Sequence, residues 1–279
     1  MDDQSQLQRY LSNARFEVLP LRGAEQQAAQ LPAGTPVTVT SSQAKGIDAT
    51  LDLAVKLQAR GLHAIPHLAA RSVAGEQHLS QLLDRIGTAG ITEVFVIAGD
   101  PPEPAGTFPD ALSLLRAMDA LGRRPERVGI SGYPESHAFL ADADTITAMT
   151  DKSRHADYIV SQICFDPNTI ASWIKDVRSR GVRLPIYVGA PGAVEASKLL
   201  RISMKIGLGE SMRFLRKQRG VVTKLLTRYT PEQLFDELAP LLSEEDEGVV
   251  GWHLYTFNEI GKTVQWRQDL LARLQEVPA

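Results

Sequence analysis

Residues 94–104 read VFVIAGDPPEP. A run of apolar, β-branched and aromatic residues stops at a carboxylate, Asp100, and Pro101 and Pro102 follow at once. The run shows no polar alternation, which suits a parallel strand covered on both faces. It therefore predicts a buried strand over Glu93–Asp100 and a stiff loop beyond it. An aspartate before a turn is common, because its side chain can accept a hydrogen bond from backbone two residues on. The stretch decides more than that only because its pattern recurs along the chain.

Seven further short apolar runs, several of them nearly continuous in the same way, predict strands at Arg15–Pro20, Pro36–Thr40, His63–Ala69, Arg127–Pro134, Asp157–Phe165, Pro185–Pro191 and Gly248–Phe257. Amphipathic stretches separate them. DATLDLAVKLQARG (48–61) gathers Leu51, Ala54, Val55 and Leu57 on one broad face and ends at Gly61. EQHLSQLLDRIGTAG (76–90), PDALSLLRAMDALG (109–122) and TIASWIKDVRSRG (169–181) carry the same start and stop signals. Residues 142–155, the stretch from Ser197, a segment opened by Thr-Pro-Glu at 230–232 and a last helix at about 260–275 complete the helical set. Eight strands alternating with helices predict a single-domain (β/α)8 barrel over residues 1–279, with an extra helical insertion at about 197–245 between the last two strands. The rival doubly wound sheet places a glycine-rich turn after its first strand. Here that turn is LRGAEQQ, with no such pattern.

Composition removes several classes of function. The chain has 279 residues and a net charge of −3, with an isoelectric point near 6.1, so it offers no electrostatic footprint for nucleic acid or an anionic membrane. Its one cysteine, Cys164, sits in an apolar run and excludes a disulfide framework or a multi-thiolate metal centre within one chain. No apolar run approaches the roughly 18–20 residues of a membrane helix. The opening MDDQSQLQRY lacks the pattern of a signal peptide. A cytoplasmic protein of small-molecule substrates is expected, with self-association into a homo-oligomer left open.

In such a barrel the chemistry lies at the C-terminal ends of the strands. Those ends carry Glu17, Thr40, His67, Asp100, Tyr133, Gln162 and, from the last strand, Tyr255 with Asn258. Polar strand ends meet solvent and each alone is unremarkable, but Glu17 and His67 sit inside otherwise apolar hexamers. An unpaired buried carboxylate is costly, so Glu17 is expected to face a polar cavity, the setting of a general acid. His67, Asp100, Glu17 and His253 invite a metal, yet His67 has no second ligand at ligand spacing. His63, four residues back, falls on the same face one layer lower. No metal is expected, and Cys164 reads as a small core residue rather than a nucleophile.

Seven short pieces, each at a predicted strand end and in order, resemble the catalytic barrel of the methylenetetrahydrofolate reductases. They are FEVLP (16–20), VTVTSS (37–42), IPHLA (65–69), IAGDPP (97–102), GYPESH (132–137), DYIVSQICFD (157–166) and WHLYTFNE (252–259). The resemblance implies Glu17 as the proton donor that opens the imidazolidine ring of methylenetetrahydrofolate. It places Asp100 beside pterin and flavin, Gln162 at the pterin, and Phe165 and Tyr255 along the substrate. Thr40, His67, Gly99, Asp100, Tyr133, His137, Asp144 and Lys152 stand where the family holds FAD. Three departures accompany the likeness. Ala98 and Glu259 replace arginines, and Ile163-Cys164-Phe165 replaces a run of three phenylalanines. Arg201, Lys205 or Arg213 of the insertion are candidates to replace the second arginine in recognising a folate tail.

The activity so implied is reduction of 5,10-methylenetetrahydrofolate to 5-methyltetrahydrofolate by NADH or NADPH, with the hydride passing through FAD in ping-pong order. It belongs to one-carbon metabolism and methionine biosynthesis. Two alternatives stay open: direct hydride transfer from NADH without flavin, and folate-dependent one-carbon or methyl transfer on the same barrel.

Overall fold

The computed structural model describes residues 3–135, 142–195, 198, 228–241 and 248–276. A first helix α1 (Asp3–Ser12) precedes β1 (Arg15–Val18), followed by α2 (Ala24–Ala28) and β2 (Pro36–Val39). Then come α3 (Gly46–Ala59), β3 (His63–Ala69), α4 (Glu76–Thr88), β4 (Glu93–Ile97), α5 (Ala111–Ala120) and β5 (Arg127–Gly132). The chain continues through α6 (Asp142–Ser153), β6 (Tyr158–Ser161), α7 (Pro167–Ser179), β7 (Ile186–Pro191), α8 (Glu232–Leu238), β8 (Val249–Tyr255) and α9 (Ile260–Glu276). The eight strands form one closed barrel, β1-β8-β7-β6-β5-β4-β3-β2, and every neighbouring pair is parallel. The (β/α)8 reading stands. No helix among the described residues is long and apolar enough to cross a membrane.

Several boundaries differ from the sequence reading. β4 stops at Ile97 and β6 at Ser161, so Asp100, Gln162, Cys164 and Phe165 occupy loops rather than strand ends. For β4 the cause is local: positive φ at Gly99 (91°) and two prolines cannot continue a ladder. The glutamine-rich α1 and the five-residue α2 were not anticipated, nor was a short antiparallel pair that joins Val194–Glu195, just before the expected insertion, to Arg228–Tyr229 within it. Of that insertion, α8 confirms the Thr-Pro-Glu start, while residues 201–227 lie outside the described part.

Local chemistry explains the helix ends. Asp110 caps α5 by accepting from the Ser113 N–H, and the Ser113 hydroxyl completes a capping box. Asp166 caps α7, whose first residue is Pro167. Leu79, Leu82, Leu83 and Ile86 of α4, at helical spacing, join Leu51, Ala54 and Leu57 of α3 in the shell between helices and barrel.

Alternation along the strands sorts the barrel interior into levels. Phe16 and Val18 face the outer shell, so Arg15 and Glu17 face inward. At the floor, Arg15 Nη1 lies 2.5 Å from Glu93 Oε1, His63 Nε2 lies 2.9 Å from Glu93 Oε2 and Arg127 Nη1 lies 3.4 Å from the same oxygen. The Arg15 guanidinium also covers the rings of Tyr187 at 3.8 Å and Tyr158 at 4.4 Å. Burial would raise the Glu93 carboxyl, but the His63 hydrogen bond and the Arg15 charge outweigh it and hold it down to about 2. Above this floor, Ile65, Phe95 and Val160 form an apolar layer. The next level up is the barrel mouth.

Candidate active site

Glu17 stands at the mouth, on β1, with Tyr255 and Thr38 as its register partners on β8 and β2. The strand alternation that sends Phe16 outward aims the Glu17 carboxylate at two imidazoles. His253 Nε2 lies 3.1 Å from Glu17 Oε2, and His67 Nε2 lies 3.7 Å from the same atom. The His67 ring rests on Phe95, with centroids 4.7 Å apart. Burial drives the His67 pKa down to about 4, the His253 charge adds to the fall, and Glu17 only partly opposes it. His67 is thus neutral at pH 7. Its Nε2 and the Nδ1 of His253 are buried without a hydrogen-bond partner among the described residues. Such atoms are expensive unless something satisfies them.

Two tyrosines extend the group. The Tyr255 hydroxyl donates to the Ser161 carbonyl at 3.0 Å, and its ring lies 4.9 Å from that of His253. Burial lifts the Tyr255 phenol well above its ordinary range, and the nearby Glu17 and Tyr133 push the same way. The Tyr133 hydroxyl accepts from Ser131 Oγ at 3.0 Å. It too is raised, first by burial and further by the charge of Asp100, with the Ser131 bond opposing. Electrostatics therefore link Asp100, Tyr133, Tyr255 and Glu17 around one mouth.

The remaining expected residues fall in three groups. Thr40 lies one residue past β2, its hydroxyl donating to the Ser41 carbonyl at 2.9 Å. Gly99 and the exposed Asp100 sit in the loop after β4. A Cβ at Gly99 would lie 3.1 Å from that of Ala69. Gln162 is tied by its N–H to the Gly132 carbonyl at 2.7 Å, while Phe165 packs with Ile163, Val194, Tyr255 and Phe257. Lys152 is buried on α6, where burial lowers its amine to about 8 against the pull of Asp110. That places it in the helix layer rather than in the Glu17 cluster. His137 lies outside the described residues, as does the side chain of Asp144; Arg201, Lys205 and Arg213 do too.

Sequence reading missed how the mouth is stitched. The Asn258 side chain accepts from the Leu19 N–H (2.7 Å) and donates to the Leu19 carbonyl (3.1 Å). Thr256 Oγ1 donates to the Glu17 carbonyl at 2.6 Å. Phe257 and Asn258 both take positive φ, 50° and 63°, which turns the Asn258 amide back onto β1. Their only sequence signal was the polar pair flanking Phe257. Beside them Glu259 holds two cations, Lys198 Nζ at 3.1 Å and Lys262 Nζ at 2.5 Å. Burial would raise the Glu259 carboxyl, but hydrogen bonds from both lysines lower it. Where the family resemblance expects one arginine, this chain has a carboxylate gripping two lysines.

Comparisons with known proteins place the chain in a family. The family Methylenetetrahydrofolate reductase matches residues 21–266. Methylenetetrahydrofolate reductase 1 of Schizosaccharomyces pombe is 26% identical over 191 residues, covering 66% of this chain and 28% of that protein. Methylenetetrahydrofolate reductase (NADH) 1 of Arabidopsis thaliana is 25% identical over 236 residues, or 78% and 36% of the two chains. A probable methylenetetrahydrofolate reductase (NADPH) of Caenorhabditis elegans is 22% identical over 174 residues, or 59% and 23%. The chain thus spans only about a quarter to a third of the length of these relatives. A family match over residues 21–266, most of a closed eight-stranded barrel, means that this chain belongs to the methylenetetrahydrofolate reductase family.

Proposed function

We propose that this barrel reduces 5,10-methylenetetrahydrofolate to 5-methyltetrahydrofolate at the expense of a reduced pyridine nucleotide. The observation that carries the reading is Glu17, an inward carboxylate at the mouth set between His253 and His67. Opening the imidazolidine ring needs a proton on the departing nitrogen, and a carboxyl held at the substrate end of the barrel can give it. The open form carries an electrophilic methylene carbon, and a hydride added there gives the methyl group. One proton from Glu17 and one hydride from the nucleotide balance the change. Gln162 and Asp100 bind the pterin, and Phe165 and Tyr255 flank it. The region 197–245 serves as an insertion on one catalytic unit.

The residues present fit FAD. The unpartnered, buried Nε2 of His67 asks for a ligand atom, Tyr133 offers a planar surface, and the buried Lys152 amine offers a cation to phosphate. Thr40 and Gly99 complete the reading, with His137 and Asp144 from the motif. FAD held by these residues would supply hydride transfer between the two substrates. This chain's part is to hold both substrates in turn and to move the proton at Glu17. Relatives named for NADH and for NADPH leave both donors in play.

Direct transfer from NADH has one observation in its favour: Ala98 supplies no cation where the family motif has one. The visible spectrum of the purified protein, with NAD(P)H oxidation followed with and without methylenetetrahydrofolate, tests both. An oxidised-flavin band with folate-dependent turnover is expected. Colourless protein with full turnover favours the flavin-free route, and protein without folate-dependent turnover, even after added FAD, overturns the proposal.

A further inference from the structure

The loop that carries Asp100 is held by one residue of a neighbouring unit. Residues 98–109, AGDPPEPAGTFP, include four prolines and so have few N–H groups to offer. Arg71, in the short turn Ala70–Ser72 after β3, meets this segment five times. Its backbone N–H donates to the Ala98 carbonyl (2.9 Å) and its carbonyl accepts from the Ala105 N–H (2.8 Å). Its Nε donates to the Pro109 carbonyl (2.8 Å), and its Nη1 to those of Pro101 (3.0 Å) and Pro102 (3.4 Å). Among the described residues these are the hydrogen bonds that tie the loop to the rest of the chain. Packing presses it onto the same turn: a Cβ at Gly106 would fall 2.2 Å from the Ala74 carbonyl oxygen, and Phe108 is buried in the outer shell.

Asp100 itself makes no hydrogen bond or ion pair among the described residues, so the place of its exposed carboxylate is inherited from the backbone that follows it. That backbone is what Arg71 grips. We propose that Arg71 is the positioning residue for Asp100. Its planar fork gathers three carbonyls spread over nine residues, a task for which an ammonium, with one compact head, is poorly shaped. The proposal rests on the reading that Asp100 faces substrate.

The test compares Arg71→Gln, Arg71→Lys, Asp100→Asn and the double variant Arg71→Gln/Asp100→Asn in the full chain. Steady-state folate reduction, hydrogen exchange of residues 98–109 by mass spectrometry and thermal midpoints are measured. Arg71→Gln is expected to lower kcat about 10–100-fold, since misplacing a positioned group by about an ångström costs that much. Loop exchange should rise while the core stays protected. In the Asp100→Asn background the further loss from Arg71→Gln should shrink to less than about twofold, because both changes remove one function. Losses that simply multiply, wild-type kcat in Arg71→Gln, or unchanged loop exchange would each overturn the proposal. If Arg71→Gln does not fold, Arg71→Lys carries the same comparison. If the wild-type chain does not reduce the folate, the functional reading fails by itself, and loop exchange alone decides whether Arg71 sets the loop.

Discussion

His253 Nε2 faces Glu17 Oε2 at 3.1 Å across the seam where β8 closes on β1. The two residues are 236 positions apart, so the pair exists only once the barrel is shut. In this arrangement Glu17→Gln is expected to lower folate reduction about 10²–10⁴-fold, the usual contribution of a positioned acid. NAD(P)H oxidation with an artificial quinone acceptor should stay within about threefold of wild type, since that half-reaction needs no proton from Glu17. Stopped-flow measurement of the two halves decides it. Equal loss in both would make Glu17 a structural residue.

Acid should destabilise the fold in two stages. His67 protonates at about 4 in the fold against an ordinary 6.5, so the unfolded chain binds more protons between those values. Stability from this group is complete above 6.5 and lost as pH falls toward 4. Glu93, held down to about 2 from 4.5, contributes stability that is complete above 4.5 and lost as pH falls toward 2. Urea midpoints taken from pH 8 to pH 3 should fall below 6.5 and fall again below 4.5. His67→Gln should flatten the upper stage. Glu93→Gln should flatten the lower one while costing about 3–5 kcal/mol at neutral pH, because Arg15 stays buried without its carboxylate.

Lys152 sets stability against binding. Its amine is lowered from 10.5 to about 8 by burial, so the charged form is disfavoured in the fold at every pH below 8. Lys152→Met should therefore stabilise the chain by about 1–3 kcal/mol at pH 7, the gain fading as pH approaches 10.5. If the amine meets a flavin phosphate, the same change should weaken FAD about tenfold or more. A flavin titration beside a urea melt reads both, and a stable variant with unchanged FAD affinity would remove Lys152 from the cofactor site.

Asn258 combines two hydrogen bonds with a left-handed backbone. Asn258→Ala should cost about 2–4 kcal/mol, since it strands both polar groups of Leu19 and puts an alanine at φ 63°. Asn258→Gly relieves the backbone and should cost less. Urea unfolding that ranks Gly below Ala in stability would contradict this account.

The barrel was legible because parallel strands covered on both faces read as apolar runs, and VFVIAGD shows that pattern most plainly. The run also misled: IAGD carries apolar character past the last ladder residue, Ile97, so the end of β4 was placed three residues late. Glu17 and His67 were legible as polar residues inside apolar hexamers. His253 was weighed only as a metal ligand, since nothing local joins it to Glu17. The Asn258–Leu19 bridge, the Lys198–Glu259–Lys262 cluster and the Arg71 clamp were invisible for a common reason. The first crosses the closing β8–β1 seam, Lys198 reaches Glu259 over 61 residues and Arg71 reaches Pro109 over 38, and none of these side chains follows a period. The floor had a faint signal in Arg15, His63, Glu93 and Arg127, charged or titratable residues that each open a strand. Strand beginnings commonly meet solvent, and only closure turned these inward.

The apolar layer of Ile65, Phe95 and Val160 keeps two glutamates of one barrel in separate worlds. Below it Glu93 is locked as an anion among arginines; above it Glu17 shares its site with histidines. Under the proposed reaction, the proton that Glu17 gives is replaced from the mouth it shares with His253 and His67, and product release becomes the step that rearms the acid.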